Sequence, residues 1–158
     1  MITIYCVGKI KESFYRQAAD EYVKRLGRYD RIKINETADE KTPDGAGAAL
    51  KAQIRKKEGN RLLKQIRDTE YVIALAIEGR KLDSEAFAGK IADLKVSGRS
   101  EIAFVIGGSL GLSDEVMRRA DDALSFSDLT FPHQLMRVIL LEQIYRAEKI
   151  LAHEPYHK

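Results

Sequence analysis

Short runs of apolar residues alternate along the chain with segments in which apolar residues recur every three or four positions. Runs of the first kind are typical of strands buried on both faces, and segments of the second kind are typical of amphipathic helices. The runs predict strands at residues 2–7, 32–35, 71–77, 102–106 and 123–127. The helical spacing predicts helices at residues 13–26, 50–66, 84–98, from 113 onward, and from Pro132 to about Leu151.

Strands and helices therefore alternate along the whole chain, a pattern that predicts an α/β fold with a mostly parallel sheet and helices on both faces. Ser13 is expected to cap the first helix, and Gly27 stands where that helix should end. The turn-rich residues 39–47 predict an exposed loop. The Glu78-Gly79-Arg80 segment predicts a turn, and Gly59 weakens the second helical pattern.

Composition limits the classes of protein to which this chain can belong. The 158 residues, 44% of them hydrophobic, fit one domain spanning residues 1–158. No apolar stretch approaches the roughly 18 residues that a membrane span needs, and the first residues lack the order of a signal peptide. A single cysteine, Cys6, excludes an intramolecular disulfide and a cysteine-cluster zinc site, and the three histidines show no metal-ligand spacing. We therefore expect a cytoplasmic protein without a metal.

The charge is unevenly distributed. The formal net charge is +3, but residues 1–70 carry 16 Lys/Arg against 11 Asp/Glu. This basic half permits contact with phosphates and does not require it, because solvated helix faces have the same composition.

Ligands of open α/β sheets bind at the carboxyl ends of the strands, where three loops have unusual compositions: residues 75–79, 107–111 and 126–133. Glycines such as Gly107 and Gly108 let a ligand approach backbone amides, but they equally permit a tight turn. The loop matches neither G-x-G-x-x-G nor a phosphate-binding loop with G-K-[ST].

The third loop is unusually apolar. Phe126, Leu129 and Phe131 could line a pocket for a flat, adenine-like ring, with hydroxyls from Ser127 and Thr130. The same aromatic residues could instead be ordinary core.

The last predicted helix carries most of the remaining candidate chemistry. His133 and Arg137 lie four residues apart, on one face near its start. The helix dipole there favours a neutral imidazole that can accept a proton, although a capping histidine fits as well. Apolar residues occur on more than one face of the helix, which indicates a second copy as partner. Tyr156 and His157 make the tail aromatic and basic, whereas chain ends are usually loose.

Five segments together resemble the ribosomal RNA large subunit methyltransferase H family, within the SPOUT class of methyltransferases. They are the opening V-G-K at residues 7–9 and the segments 58–66, 104–111, 124–137 and 155–158. The resemblance covers the whole chain and implies a C-terminal trefoil knot and a homodimer. It also implies transfer of a methyl group from S-adenosyl-L-methionine to N3 of a pseudouridine in large-subunit (23S) rRNA, with the assembled ribosome as substrate.

The resemblance also implies functional residues. The cofactor contacts that it implies are Leu75, Gly107, Phe126, Ser127, Asp128, Leu129, Thr130 and Phe131. Candidate catalytic residues are His133, Arg137, Arg146, Tyr156 and His157. We expect the first two to shape the site and the others, with Lys158, to contact RNA or the partner's pocket. Leu110 is a small departure, since relatives often have a polar residue there. The basic helices at residues 16–31 and 51–67 are candidate ribosome-facing surfaces.

Two other classes of function stay open from the residues alone. A ribosome-binding module without activity would keep the basic helices but would not need the Gly107 and Phe126–Phe131 pocket. A nucleotide-dependent oxidoreductase would need a glycine pattern after the first strand, where only Gly8 stands.

Overall fold

The computed structural model describes residues 1–158. Five strands alternate with five helices, as the periodicity predicts. The strands are β1 (Ile2–Val7), β2 (Ile32–Thr37), β3 (Tyr71–Lys81), β4 (Ile102–Ile106) and β5 (Asp122–Ser125). The helices are α1 (Ser13–Leu26), α2 (Ala48–Leu63), α3 (Ser84–Val96), α4 (Asp114–Arg119) and α5 (His133–Leu151).

The strands form one sheet in the order β2-β1-β4-β3-β5, and every neighbouring pair is parallel. The predicted α/β class with a parallel sheet is therefore confirmed. Because all strands point the same way, their carboxyl ends, and the loops that follow them, meet at one edge of the sheet.

Helices cover both faces of the sheet. The larger core packs α1, α3 and α5 against side chains such as Ile4, Phe104 and Ile73. The smaller core packs α2 and α4 against the opposite side chains of the same strands, including Val105 and Val72. This arrangement explains why the central strands are apolar without alternation, since neither face meets water. No helix is both long and apolar enough to cross a membrane.

The predicted turn at Glu78–Arg80 is wrong. Strand β3 continues to Lys81, with a shift in its pairing to β5 between Leu75 and Arg80. A Cβ on Gly79 would lie 2.6 Å from the backbone carbon of Leu124, so glycine permits a close approach of two strands here. The residue that suggested a turn therefore marks an irregularity within a strand.

Three smaller expectations also change. Glu12, and not Ser13, is the residue before α1, and no side chain caps that helix. Strand β5 ends at Ser125, two residues earlier than predicted, and the Ser125 hydroxyl donates to the Ser127 carbonyl at 3.1 Å. Helix α2 runs through Gly59 without interruption, and a Cβ at that position would lie 2.2 Å from the Ser113 hydroxyl oxygen. Gly59 thus lets α2 pack closely on the start of α4.

Candidate active site

A cleft of about 770 Å³ opens at the carboxyl ends of β4 and β5, beside residues 75–78 in the middle of β3. All three segments with unusual composition, at residues 75–79, 107–111 and 126–133, contribute to it. Its lining comprises residues 75–78, 106–112, 124–127 and 129–133, together with Arg55 and Met136. Arg55 and Glu78 are the only Asp, Glu, Lys or Arg residues in that lining, so the cleft is built mainly from apolar side chains and backbone.

The loop after β4 is both a tight turn and a wall of the cleft. A Cβ on Gly107 would lie 2.7 Å from the backbone carbon of Gly111, and Gly111 has a φ of +82°. Gly108 pairs with Gly111 in an isolated bridge and packs against Val7 and Glu58. The turn requires glycine for its own geometry, and it also leaves backbone open toward the cleft. The two interpretations of this loop are therefore compatible.

The loop after β5 is part core and part cleft. The Phe126 ring meets the Phe87 ring edge-on at 5.8 Å and also lines the cleft. The Ser127 hydroxyl accepts a hydrogen bond from the Leu129 backbone at 2.9 Å, which fixes the turn. Leu129 is 71% exposed at the rim.

Seven of the eight expected cofactor contacts line the cleft, and Asp128 does not. The Asp128 carboxylate pairs with Lys81 at the end of β3. In this chain its side chain ties the loop to the neighbouring strand.

His133 is the first residue of α5 and lines the cleft. Burial, and then the positive charge of Arg137, lowers the pKa of its imidazole below the usual 6.5, while the Asp39 carboxylate acts in the opposite direction. The Nε2 atom faces Gly8, where a Cβ would lie 3.6 Å away. A neutral imidazole at the cleft is able to accept a proton.

Arg137 lies one turn further along α5, and its side chain is only 1% exposed. The guanidinium donates to the Glu36 carboxylate at 2.7 Å and to the carbonyls of Val7 and Gly8 at 3.0 and 2.6 Å. Arg137 is not among the lining residues. It joins α5 to the ends of β1 and β2, next to His133.

The tail packs on the other end of α5. The Tyr156 ring meets the Tyr145 ring edge-on at 4.9 Å, and its hydroxyl donates to Glu142 at 3.1 Å. Arg146 lies over the Tyr156 ring at 4.8 Å, and one of its guanidinium nitrogens is 3.2 Å from Nδ1 of His157. The tail is therefore anchored, in contrast to the loose end that chain termini usually form.

Arg146, Tyr156 and His157 do not line the cleft of their own chain. Arg146 lies 13 residues beyond His133 in α5, or about 20 Å along the helix axis. The structure therefore brings His133 together with the expected cofactor contacts and leaves the tail residues apart from them.

Two residues near the cleft were not among the site residues predicted from the sequence. Arg55 lines the cleft from α2. Glu58 is buried beside Gly108 and accepts a hydrogen bond from the Glu40 backbone at 3.0 Å. The carboxyl pKa of Glu58 is raised by its burial. A signal for Glu58 existed, since it lies between Ile54 and Leu62 at a spacing of four residues, on the buried face of α2.

Comparison with known proteins defines the class of this chain. Residues 1–157 match the family model described as "Predicted SPOUT methyltransferase". A solved methylase family protein from Neisseria gonorrhoeae superposes with a TM-score of 0.55, covering 99% of this chain and 95% of that one. At 14% identity, this likeness concerns the fold alone.

Curated relatives identify the family within that class. Proteins named "Ribosomal RNA large subunit methyltransferase H" are 61% identical in Bifidobacterium animalis subsp. lactis and 58% identical in Clostridium novyi, over 99% of both chains in each case. The chain is a SPOUT methyltransferase and belongs to the ribosomal RNA large subunit methyltransferase H family. The resemblance inferred from sequence motifs is confirmed.

Proposed function

We propose that the chain methylates N3 of a pseudouridine in large-subunit (23S) rRNA, with S-adenosyl-L-methionine as the methyl donor. We further propose that it acts in the cytoplasm, as a homodimer, on the assembled ribosome. The observation that carries the proposal is the cleft between the middle of β3 and the carboxyl ends of β4 and β5, in a chain 61% identical to a protein named for this RNA.

The residues of the cleft suit the proposed donor. The apolar walls of Leu75, Phe126 and Phe131 fit an adenine ring, and the backbone of the glycine turn at residues 107–111 can bind polar groups without a side chain between them. S-adenosyl-L-methionine would supply a methyl group on a positively charged sulfur. The two charged side chains of the lining, Arg55 and Glu78, have opposite signs, so the lining adds no net charge that would repel this sulfur.

The reaction needs alignment more than covalent catalysis. The N3 atom must point at the methyl carbon in line with the departing sulfur, so holding both reactants in place supplies much of the acceleration. The N3 proton must also leave. We assign His133 as its acceptor, because its imidazole lines the cleft and its lowered pKa keeps it neutral at physiological pH. Arg137 is a positioning residue, which fixes the start of α5 against β1.

The tail residues support a homodimer. Arg146, Tyr156 and His157 can serve a cleft only if it is the partner's, since they lie far along α5 from their own cleft. Leu135, Val138 and Ile139 are only half-buried on α5. A second copy packed on this helix would cover them and place its tail near the cleft.

The test is transfer of labelled methyl groups from S-adenosyl-L-methionine to ribosomes that lack the modification, with free large subunits in parallel. We expect label at N3 of a pseudouridine, found by mass spectrometry of nuclease fragments, and more label on assembled ribosomes. Label at another nucleotide, or none from a folded protein that binds the donor, would contradict the proposed substrate. Equal labelling of both particles would contradict only the preference for the assembled ribosome.

A further inference from the structure

The first turn of α1 presents the only exposed aromatic side chain of the molecule. Phe14 is 60% exposed, while every other Phe and every Tyr is buried or half-buried. Its ring is held by Tyr15, with the two centroids 4.4 Å apart. Single exposed apolar side chains are common on protein surfaces, so the interest of Phe14 lies in its basic neighbours and its position near the cleft.

Basic residues adjoin Phe14 in the sequence. Lys9 and Lys11 are exposed and form no ion pair, and the Arg16 side chain is half exposed. Arg16 donates to the Ile10 carbonyl at 3.1 Å and lies 3.9 Å from Glu36. Glu12 is the only acidic residue of the segment 8–16. Arg16 lies two residues beyond Phe14 in α1 and therefore points to another face of the helix. We name Lys9, Lys11 and Phe14 the Phe14 surface.

The Phe14 surface is fixed to the rim of the cleft. The backbone amides of Lys11 and Glu12 donate to the side-chain oxygen of Gln134, at 2.8 and 3.3 Å. Gln134 follows His133, which lines the cleft and lies beside Gly8. Phe14 is only three residues beyond Lys11, so its ring lies within about one helical turn of this anchored loop.

We propose that the Phe14 surface is a docking surface for rRNA, on which an unpaired base near the target nucleotide stacks on the Phe14 ring. Lys9 and Lys11 then contact the adjacent phosphates. Aromatic rings bind the faces of unpaired bases with little sequence preference, and lysines supply the contacts to the backbone. The inference rests on the proposed function, because it requires an RNA substrate at this cleft.

Charge favours RNA over a second copy of the chain as the occupant. If the Phe14 surface lay on the two-fold axis of a dimer, it would face itself and place like charges together, which opposes association. RNA brings the opposite charge and a stacking partner in the same ligand.

The main test compares Phe14→Ala, Phe14→Leu and Phe14→Tyr in steady-state methylation of ribosomes at saturating donor. Stacking on RNA predicts that the KM for ribosomes rises roughly 5- to 100-fold in the alanine and leucine variants. The tyrosine variant, which retains a ring, should stay near wild type. Binding of S-adenosyl-L-methionine, measured by calorimetry, should be unchanged. Val96→Ala is the matched control, because Val96 is 89% exposed at the end of α3 and does not line the cleft.

A salt titration tests the cationic part. The double variant Lys9→Gln/Lys11→Gln should bind ribosomes with a less steep dependence of log affinity on log salt, with a slope smaller by about one to two. An unchanged slope would overturn the phosphate contacts.

Other outcomes separate this inference from the proposed function. If wild type methylates ribosomes and Phe14→Ala has an unchanged KM, the docking surface is wrong while the function stands. If Phe14→Ala weakens the dimer in sedimentation and leaves the KM unchanged, the occupant is a second copy. If wild type methylates no ribosome, the function is wrong. Co-sedimentation of wild type and Phe14→Ala with ribosomes then tests the docking surface. Equal binding of the two proteins to ribosomes would overturn it.

Discussion

The two ends of α5 use charge in opposite ways. At the first end, Arg137 is buried and bonded to Glu36 and to two backbone carbonyls of β1. At the other end, on the half-buried surface, Arg146 forms an ion pair with Glu142 and lies over the Tyr156 ring, and the Tyr156 hydroxyl donates to Glu142. Each end carries an arginine with a carboxylate partner, but only the arginine at the first end is buried.

This difference indicates that the first end of α5 stabilises the fold and that the second end serves binding. A buried arginine must keep its partners, because an uncompensated charge or carbonyl in the interior destabilises the fold strongly. A surface network contributes little to stability, because water and salt screen it. We therefore expect substitutions at the first end of α5 to act through folding and geometry, and substitutions at the second end to act through binding.

The largest effect is expected for Arg137→Met. It leaves Glu36 and the carbonyls of Val7 and Gly8 without their donor, and loss of one partner of a buried pair typically costs about 3–5 kcal/mol. Urea unfolding followed by circular dichroism measures the loss. The double variant Glu36→Gln/Arg137→Met should lose less than the sum of the single variants. A loss below about 1 kcal/mol in the single variant would show that this end is as tolerant as the other.

Gly107→Ala should damage the cleft more selectively. Its Cβ would lie 2.7 Å from backbone of Gly111, so the turn must open. We expect binding of S-adenosyl-L-methionine to weaken by about tenfold or more, equivalent to at least about 1.4 kcal/mol, as measured by calorimetry. Gly89→Ala in α3 is the control, since nothing lies within 4 Å of its Cβ, and it should keep affinity and gain a little stability. Equal donor affinity in both variants would contradict the role of the turn.

Much of this architecture was accessible from the sequence because periodicity reports burial. The apolar run at Ile102–Ile106 predicted a strand covered on both faces, and both cores do meet there. Gly79 misled the prediction because glycine has two uses, to turn a chain and to let two strands approach. Only the position of β5 against Gly79 decides between them, and that is tertiary information.

The cleft was predicted from residue chemistry at the ends of strands. The contacts that individual side chains make there were not predicted. Arg137 looked like a residue of the site, and its contact with β1 spans about 130 residues of sequence. Asp128 lies in the expected run of cofactor contacts, yet pairs with Lys81 because the turn at Ser127 directs it outward. Spacing along the chain cannot show which neighbour a side chain faces.

The pKa of His133 tests the electrostatics at the first end of α5. Burial and Arg137 lower it below 6.5, while Asp39 raises it. A histidine with a lowered pKa in the folded state makes the fold less stable at pH values below its unfolded pKa, and has no such effect well above it. The charge of Lys11 also lowers this pKa. We expect an NMR titration midpoint below 6.5, lower still in Asp39→Asn and higher in Lys11→Gln. A midpoint that both variants leave unchanged would contradict this balance of charges.

The smallest effect on stability is expected at the second end. Arg146→Gln removes the pair with Glu142 and the contact with Tyr156, and partly exposed pairs of this kind contribute less than about 1 kcal/mol each. Urea unfolding should therefore change little, whereas methylation should fall if the tail completes the partner's cleft. Arg118→Gln is the matched control, because Arg118 is an exposed arginine of α4 that pairs with Glu115 and does not line the cleft.

Mixing two impaired variants tests whether the tail completes the partner's cleft. Arg146→Gln retains an intact cleft, and Gly107→Ala retains an intact tail. If each site combines the cleft of one protomer with the tail of its partner, half of the randomly mixed dimers contain one complete site, and activity returns to about a quarter of wild type. Sites built within one protomer would give no recovery beyond the residual activities of the two variants. Such a result would show that the tail does not complete the partner's cleft.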